Sequence, residues 1–277
     1  MTISPLPIVQ PPARRTALIT GASGGIGESF ARQLAARKID VILVARTASK
    51  LGALAADLTA RHGVRATVIA QDLTLPDAAQ QIEAEVSRLG LTVDFLVNNA
   101  GFASYGEFHL LPLKHELEMI QVNIAALTDL THRFLPGMVE RRRGRVLNVA
   151  STAAFMPGPL MAVYYASKAY VLSFSEALNE EVRSFGVHVT ALCPGPVQTG
   201  FQDRAQMGES KLIAGNNPLL SPMMSAEEVA REGLEAMFAG QAVKVVGRIN
   251  KLQTLTPRFL PRSLVPRMVK QTQARSH

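Results

Sequence analysis

The stretch ALITGASGGIGESFA, residues 17–31, decides the fold. A short apolar run over residues 16–20 leads into glycines at 21, 24, 25 and 27. The segment after them, ESFARQLAARK, reads as a helix. Strand, glycine-rich turn and helix in that order form the context of a dinucleotide-binding turn. Gly21 permits the tight turn, while Gly25 and Gly27 leave room for a pyrophosphate and for close helix packing. Ser23, Gly24 and Ile26 complete the loop, and the helix N-terminus offers free amide hydrogens to phosphate oxygens.

Working outward, strand and helix patterns alternate. DVILVAR reads as a buried strand with little period-2 alternation, ASKLGALAADLTARHG as a helix ending at glycine, and VRATVIAQDL as a third strand. A third helix, DAAQQIEAEVSRLG, precedes VDFLVNNAG, a fourth strand and its turn. Residues 112–139 form one long helical region, GRVLNVAS a fifth strand, residues 163–184 a helix, and VHVTALCPG a sixth strand. SAEEVAREGLEAMFAG is helical, with Ser225 and Glu228 spaced as a capping box, and AVKVVG supplies a seventh strand. This order predicts an α/β, Rossmann-type, doubly wound and mostly parallel seven-stranded sheet with helices on both faces. Ligands of such sheets bind beyond the C-terminal strand ends. A length of 277 residues suits a single domain over 1–277, with a proline-rich lead-in at 1–13 and a basic extension at 248–277.

Composition narrows the function. Cys193 is the one cysteine, so no intrachain disulfide forms, and its apolar neighbours make it a small core side chain. No secretory leader or membrane span is legible, which points to the cytoplasm. The six histidines are scattered and make no metal-ligand pattern. The net charge of +7 gathers at the C-terminus, because Glu235 is the last acid. No nucleic-acid motif accompanies it. From residue 257 arginines alternate with Phe259, Leu260, Leu264, Val265, Met268 and Val269. That tail suits an anionic membrane face, a neighbouring subunit or the mouth of the substrate site, and its pattern does not separate the three.

The second strand ends at Ala45-Arg46, where an acid would bind both ribose hydroxyls of NAD. Arg46 instead suits the 2′-phosphate of NADP(H), with Ser23 and Lys50 able to assist. Asp72 and Leu73 end the third strand, where Asp72 can accept from an adenine amino group. Asn99, Ala100 and Gly101 end the fourth, small enough for backbone to lie against a cofactor. Turn capping is the plainer role for Asp72 and Asn99, and both roles can coexist.

Tyr164 and Lys168 stand i, i+4 on a helix, thirteen residues after Ser151 at a strand end. Carbonyl reduction needs a hydride at carbon and a proton at oxygen. A free tyrosine titrates near 10, and a nearby ammonium lowers that value. Lys168 would supply the ammonium and hold the nicotinamide ribose, and Ser151 would hydrogen-bond the substrate oxygen. Tyr165, i+3 from Lys168, is a competing candidate that spacing does not wholly exclude; core packing or an interface contact is the plainer role for it and for Tyr170 on the same helix.

With TGASGGIG at 20–27, NNAG at 98–101, Ser151 and the Tyr164/Lys168 pair, the sequence resembles the short-chain dehydrogenase/reductase family from residue 16 to about 200. The resemblance implies that Asn123 completes a catalytic tetrad, kinking a helix and holding a water that links Lys168 to solvent. It implies that PGPVQTG at 194–200 meets the nicotinamide through Pro194, Gly195 and Val197, with Thr199 bonding the carboxamide. Many NADP-preferring members carry a second basic residue just before the middle glycine, where this chain has Gly24. The ending is similar to a subgroup near acyl and steroid reductases. The expected activity is NADP(H)-dependent interconversion of a secondary alcohol and a ketone on a lipophilic substrate, in a homodimer or homotetramer. Phe102, Phe155, Met156, Leu160, Met161, Phe201, Met207 and Leu212 either shape an apolar pocket or pack a lid over its own core. A noncatalytic NADP(H)-binding regulator or scaffold, or an epimerase-like relative, are the competing classes.

Overall fold

The computed structural model describes residues 14–198 and 223–273. Its first strand, β1 (Thr16–Thr20), is buried at every position, as the unbroken apolar run requires. Beside it stand β2 (Asp40–Ala45) and the edge strand β3 (Ala66–Ala70). On the other side come β4 (Phe95–Asn98), β5 (Gly144–Val149), β6 (Val187–Cys193) and the short β9 (Val243–Val245). The order β3-β2-β1-β4-β5-β6-β9 is parallel throughout. The seven strands expected from the sequence are all present, and a two-stranded parallel pair, β7 (Val197–Gln198) with β8 (Met224–Ser225), adds to them.

Helices close both faces. On one face α1 (Gly25–Ala36), α2 (Ala48–His62) and α7 (Ala226–Phe238) bury Phe30, Leu34, Leu51, Leu58, Leu234 and Met237. Gly63 ends α2 at φ 63, in the left-handed cap that glycine adopts freely. Ser225 caps α7 by accepting from the Glu228 amide at 3.1 Å, as the capping-box spacing predicted. On the other face α3 (Ala78–Arg88) and α5 (Leu127–Glu140) bury Ile82, Val86, Leu130 and Met138. The helical region before β5 is continuous but not uniform. It runs as α4 (Leu113–Ile120), a π-helical turn over Gln121–Ala126, and α5.

A polar ladder crosses the core. Asn98 and Asn148 face each other in register on β4 and β5. Asn98 Nδ2 donates to Asn148 Oδ1 at 2.9 Å and to Thr131 Oγ1 at 3.0 Å, and Asn148 Nδ2 donates to Ser175 Oγ at 3.0 Å. The ladder ties α5, and α6 (Ala162–Val182), to the sheet centre. The bonds from Asn98 Nδ2 and at both ends of the Asn148 amide fix how the two helices sit, while Asn98 Oδ1 is buried without a partner.

After β9 the chain folds back as α8 (Arg248–Leu255), a 3₁₀ turn (Thr256–Arg258) and α9 (Val265–Gln273). Asn250 and Thr254 of α8, and Val265, Val269 and Gln273 of α9, are buried at helical spacing. Among the described residues no helix is long and apolar enough to cross a membrane.

Candidate active site

Strand order reverses between the parallel neighbours β1 and β4, and the crevice between their C-terminal ends opens at that point. Thr20 holds the two ends together. Its Oγ1 accepts from the amides of Asn99 and Ala100, both at 3.0 Å. Asn99 Nδ2 returns a bond to the Thr20 carbonyl at 2.9 Å. Asn99 therefore clamps the glycine turn to the β4 turn, the plainer of its two expected roles. Gly27 packs so tightly that a Cβ there would stand 2.2 Å from the Gly21 carbonyl oxygen. Gly21 and Gly25 take φ 67 and 58, conformations that L side chains rarely adopt. Gly24 has open space around it.

One cavity of about 1250 Å³ begins at this turn. Ser23 and Ile26 line it at the turn, Arg46 and Lys50 at the end of β2, and Asp72 and Leu73 beyond β3. Arg46 is exposed and makes no ion pair with any described residue. One oxygen of Asp72 accepts from the amide and hydroxyl of Thr74, at 3.0 and 2.9 Å. The cavity continues past Ala100, Gly101, Ser151, Tyr164 and Lys168 to Pro194, Gly195 and Val197. Thr199 lies outside the described residues, as do Phe201, Met207 and Leu212. At Gly101 an added Cβ would approach Asn123 Oδ1 to 3.0 Å and Lys168 Nζ to 3.5 Å, so the backbone there is a cradle only glycine leaves open. The volume exceeds an ordinary small-molecule pocket and has room for a dinucleotide together with a substrate. Glycines at one end and a free guanidinium beside it suit a phosphorylated nucleotide.

The four residues singled out for chemistry converge. Ser151 stands two residues beyond β5, accepts from the Ala153 amide at 3.1 Å and shares a side-chain hydrogen bond with Tyr164. Lys168 is 5% exposed, donates to the Val149 carbonyl at 2.8 Å and lies 5.8 Å from the Tyr164 ring centroid. Asn123 sits in the π-helical turn between α4 and α5. Its carboxamide is committed to Phe102, donating to the carbonyl at 3.0 Å and accepting from the amide at 3.1 Å, and it also donates to Ser167 Oγ. π-Helical turns of this kind recur at functional sites.

The electrostatics differ from the sequence expectation. Burial pushes the Tyr164 phenol up to about 12, only partly offset by the hydrogen bond to Ser151. Tyr164 packs against Ala103, Tyr105 and Met161, an apolar wall that disfavours phenolate. Burial also pulls Lys168 down to about 8. In the protein by itself, desolvation outweighs the attraction expected of the ammonium. Cys193 is buried, with its thiol pushed up to about 12 by burial, so it is an inert core side chain.

The neighbouring tyrosines separate clearly. Tyr170 is 38% exposed and bonds Thr128 on the outer surface, away from the cavity. Tyr165 lines the cavity, but its hydroxyl accepts from Gln273 Nε2. Gln273 itself, Asn250 and Tyr105 are site residues that sequence reading missed. Gln273 accepts at its backbone carbonyl from the Tyr105 hydroxyl, and Asn250 packs against Gly195, where a Cβ would meet it at 2.5 Å. The basic tail reaches the cavity mouth, one of the three places open to it, where Leu260, Val265, Met268 and Val269 join the lining.

The family model for short chain dehydrogenase matches residues 15–210. A very-long-chain 3-oxoacyl-CoA reductase of Macaca fascicularis is 37% identical over 187 residues, which are 66% of this chain and 59% of that protein. Among solved structures, a short-chain dehydrogenase from Sphingobium yanoikuyae in complex with NADPH is 30% identical, with a TM-score of 0.78 over 94% of this chain and 98% of the other. A 7beta-hydroxysteroid dehydrogenase is 25% identical, with a TM-score of 0.82 over 92% and 96% of the two chains. Motifs, sheet order and site geometry meet in one conclusion: the chain belongs to the short-chain dehydrogenase family of oxidoreductases.

Proposed function

We propose that the protein is an NADP(H)-dependent oxidoreductase that interconverts a secondary alcohol and a ketone on a lipophilic substrate. The observation that carries this reading is the Ser151–Tyr164 hydrogen bond beside buried Lys168, in the same cavity as the glycine turn. The glycine turn and Asn99 clamp would hold the pyrophosphate, Arg46 the 2′-phosphate, Asp72 the adenine, and Lys168 the nicotinamide ribose. NADP(H), when bound, supplies or takes the hydride. In reduction Tyr164 starts as the neutral phenol that burial enforces and gives its proton to the substrate oxygen. Ser151 steadies the same oxygen with a hydroxyl already aligned on Tyr164. Lys168 then faces a growing negative charge on the phenol oxygen, and its ammonium favours that charge.

Acyl chains and steroids are substrates named for two of the relatives, and the apolar walls formed by Met161, Leu260 and Val269 suit either class. The decisive test follows NADPH absorbance with a panel of steroid, acyl and aromatic ketones, for the wild type and Tyr164→Phe. Turnover lowered about 10²- to 10⁴-fold in the variant, with NADPH binding retained, is the expected result. Failure of both NADPH and NADH to bind would sink the reading.

We place the enzyme in the cytoplasm as a homodimer or homotetramer. The exposed Leu113, Leu117 and Ile120 of α4 offer a face for self-association. A weak contact of the tail with anionic membrane is favoured by exposed Leu252, Phe259 and Met268 among its basic residues. Sedimentation with and without phosphatidylglycerol vesicles checks both. A monomer throughout would refute the assembly, and no pelleting with vesicles would refute the contact.

A further inference from the structure

Gln273 is 1% exposed and is one of the residues that line the cavity. Two bonds fix its place: its Nε2 donates to the Tyr165 hydroxyl, and its carbonyl accepts from the Tyr105 hydroxyl. Its Oε1 is closed off from solvent in the ligand-free fold and has no hydrogen-bond partner, so a ligand reaches it only when the side chain turns toward the cavity. Turning the amide over would exchange an unpaired acceptor for an unpaired donor without removing the deficit. Native proteins rarely leave such an atom unmatched. The Tyr165 ring lies 6.1 Å from the Tyr164 ring and nearly perpendicular to it, so the amide stands one ring beyond the proposed proton donor.

We propose that Gln273 is a substrate-binding residue whose free amide atom pairs with a neutral amide or hydroxyl group on the ketone, remote from its carbonyl. The inference rests on the carbonyl-reductase reading and deepens it. Neutrality follows from the surrounding wall, where Leu260, Val265, Met268 and Val269 offer no charge to a charged ligand. An amide or hydroxyl can both donate and accept, so it satisfies Gln273 in either orientation. The carbonyl of the same molecule would then lie toward Ser151 and Tyr164.

Two ketone pairs test this, each differing by one neutral group. One pair is 17β-hydroxy-5α-androstan-3-one and 5α-androstan-3-one. The other is the N-acetylcysteamine thioester and the S-butyl thioester of 3-oxooctanoic acid. For each pair the ratio of kcat/KM, and the ratio of affinities for the enzyme–NADPH complex, are measured in three proteins. The wild type should favour the polar member of at least one pair about tenfold. Gln273→Met, similar in volume but without the amide, should bring that ratio close to one. Tyr105→Phe, which loosens the tail but keeps the amide, should preserve it. No preference in the wild type, an unchanged ratio in Gln273→Met, or equal collapse in Tyr105→Phe would each overturn the contact. Binding with the expected ratio but no turnover of any ketone would support Gln273 and overturn the reductase reading alone.

Discussion

Replacing Lys168 by methionine separates the energetic burden of the site from its chemistry. The Lys168 ammonium is 5% exposed, and burial lowers its pKa from the ordinary 10.5 to about 8. That drop corresponds to about 3 kcal/mol, the cost of keeping the charge in the fold while it remains protonated. Below pH 8 the folded and unfolded chains both hold the proton, so the full cost is present. Between pH 8 and 10.5 the unfolded chain holds more protons than the folded one, and stability rises with pH. Lys168→Met lacks this dependence. The variant also leaves the Val149 carbonyl without its donor, at about 1–3 kcal/mol, but that loss does not vary with pH. Urea unfolding of both proteins at pH 7 and pH 10 isolates the ammonium, because other titrating groups are shared. The wild type should gain most of about 3 kcal/mol relative to the variant across that interval. Parallel pH profiles would refute the desolvated ammonium. The variant should also be nearly inactive despite its stability at neutral pH, a stability–function conflict expected of a buried catalytic charge.

Two further perturbations probe the nucleotide end. Arg46→Ala removes the exposed guanidinium at the tip of β2 and should raise the NADPH dissociation constant roughly 10- to 100-fold, with a far smaller effect on NADH. Equal loss for both cofactors in a fluorescence titration would remove Arg46 from phosphate recognition. Gly27→Ala puts a Cβ 2.2 Å from backbone at Gly21 and should cost about 1–3 kcal/mol, read as a melting temperature lower by several degrees. Gly24→Ala, with nothing within 4 Å of the added carbon, should melt within about a degree or two of the wild type, and equal losses would contradict the packing argument.

The parts of the site that depend on local spacing were readable from the chain. The glycine turn needs only its strand, its glycines and its helix, and Tyr164 and Lys168 share a helical face by their i, i+4 separation. Ser151 joins them because β5 ends where its apolar run ends. Interactions between distant segments left weaker traces. Thr20 looks like any strand-end threonine, yet its hydroxyl receives two amides from the β4 turn. The helical pattern over 112–139 was correct in extent, but a π-helical turn depends on where the Asn123 side chain finds Phe102, which periodicity does not encode.

Tyr164 illustrates why residue type alone misjudged the electrostatics. Sequence places an ammonium near the phenol and so predicts a lowered pKa. The apolar wall that opposes it is assembled from Ala103, Tyr105 and Met161, two segments far apart in the chain, and the short-range penalty of burial wins. The tail follows the same logic. Its arginines and exposed apolar residues are equally compatible with membrane, partner or cavity when read as a string. The buried series Val265, Val269 and Gln273 has an inward meaning only once Tyr105 and Tyr165 stand opposite its last residue. Where a site is completed by a segment with no chemistry of its own, its signature is a set of unpaired atoms in the folded chain. Orphan oxygens also occur away from the cavity, at Asn98, Ser104 and Glu116, and those of Asn250 and Gln273 stand apart because both residues belong to the C-terminal extension and line the cavity.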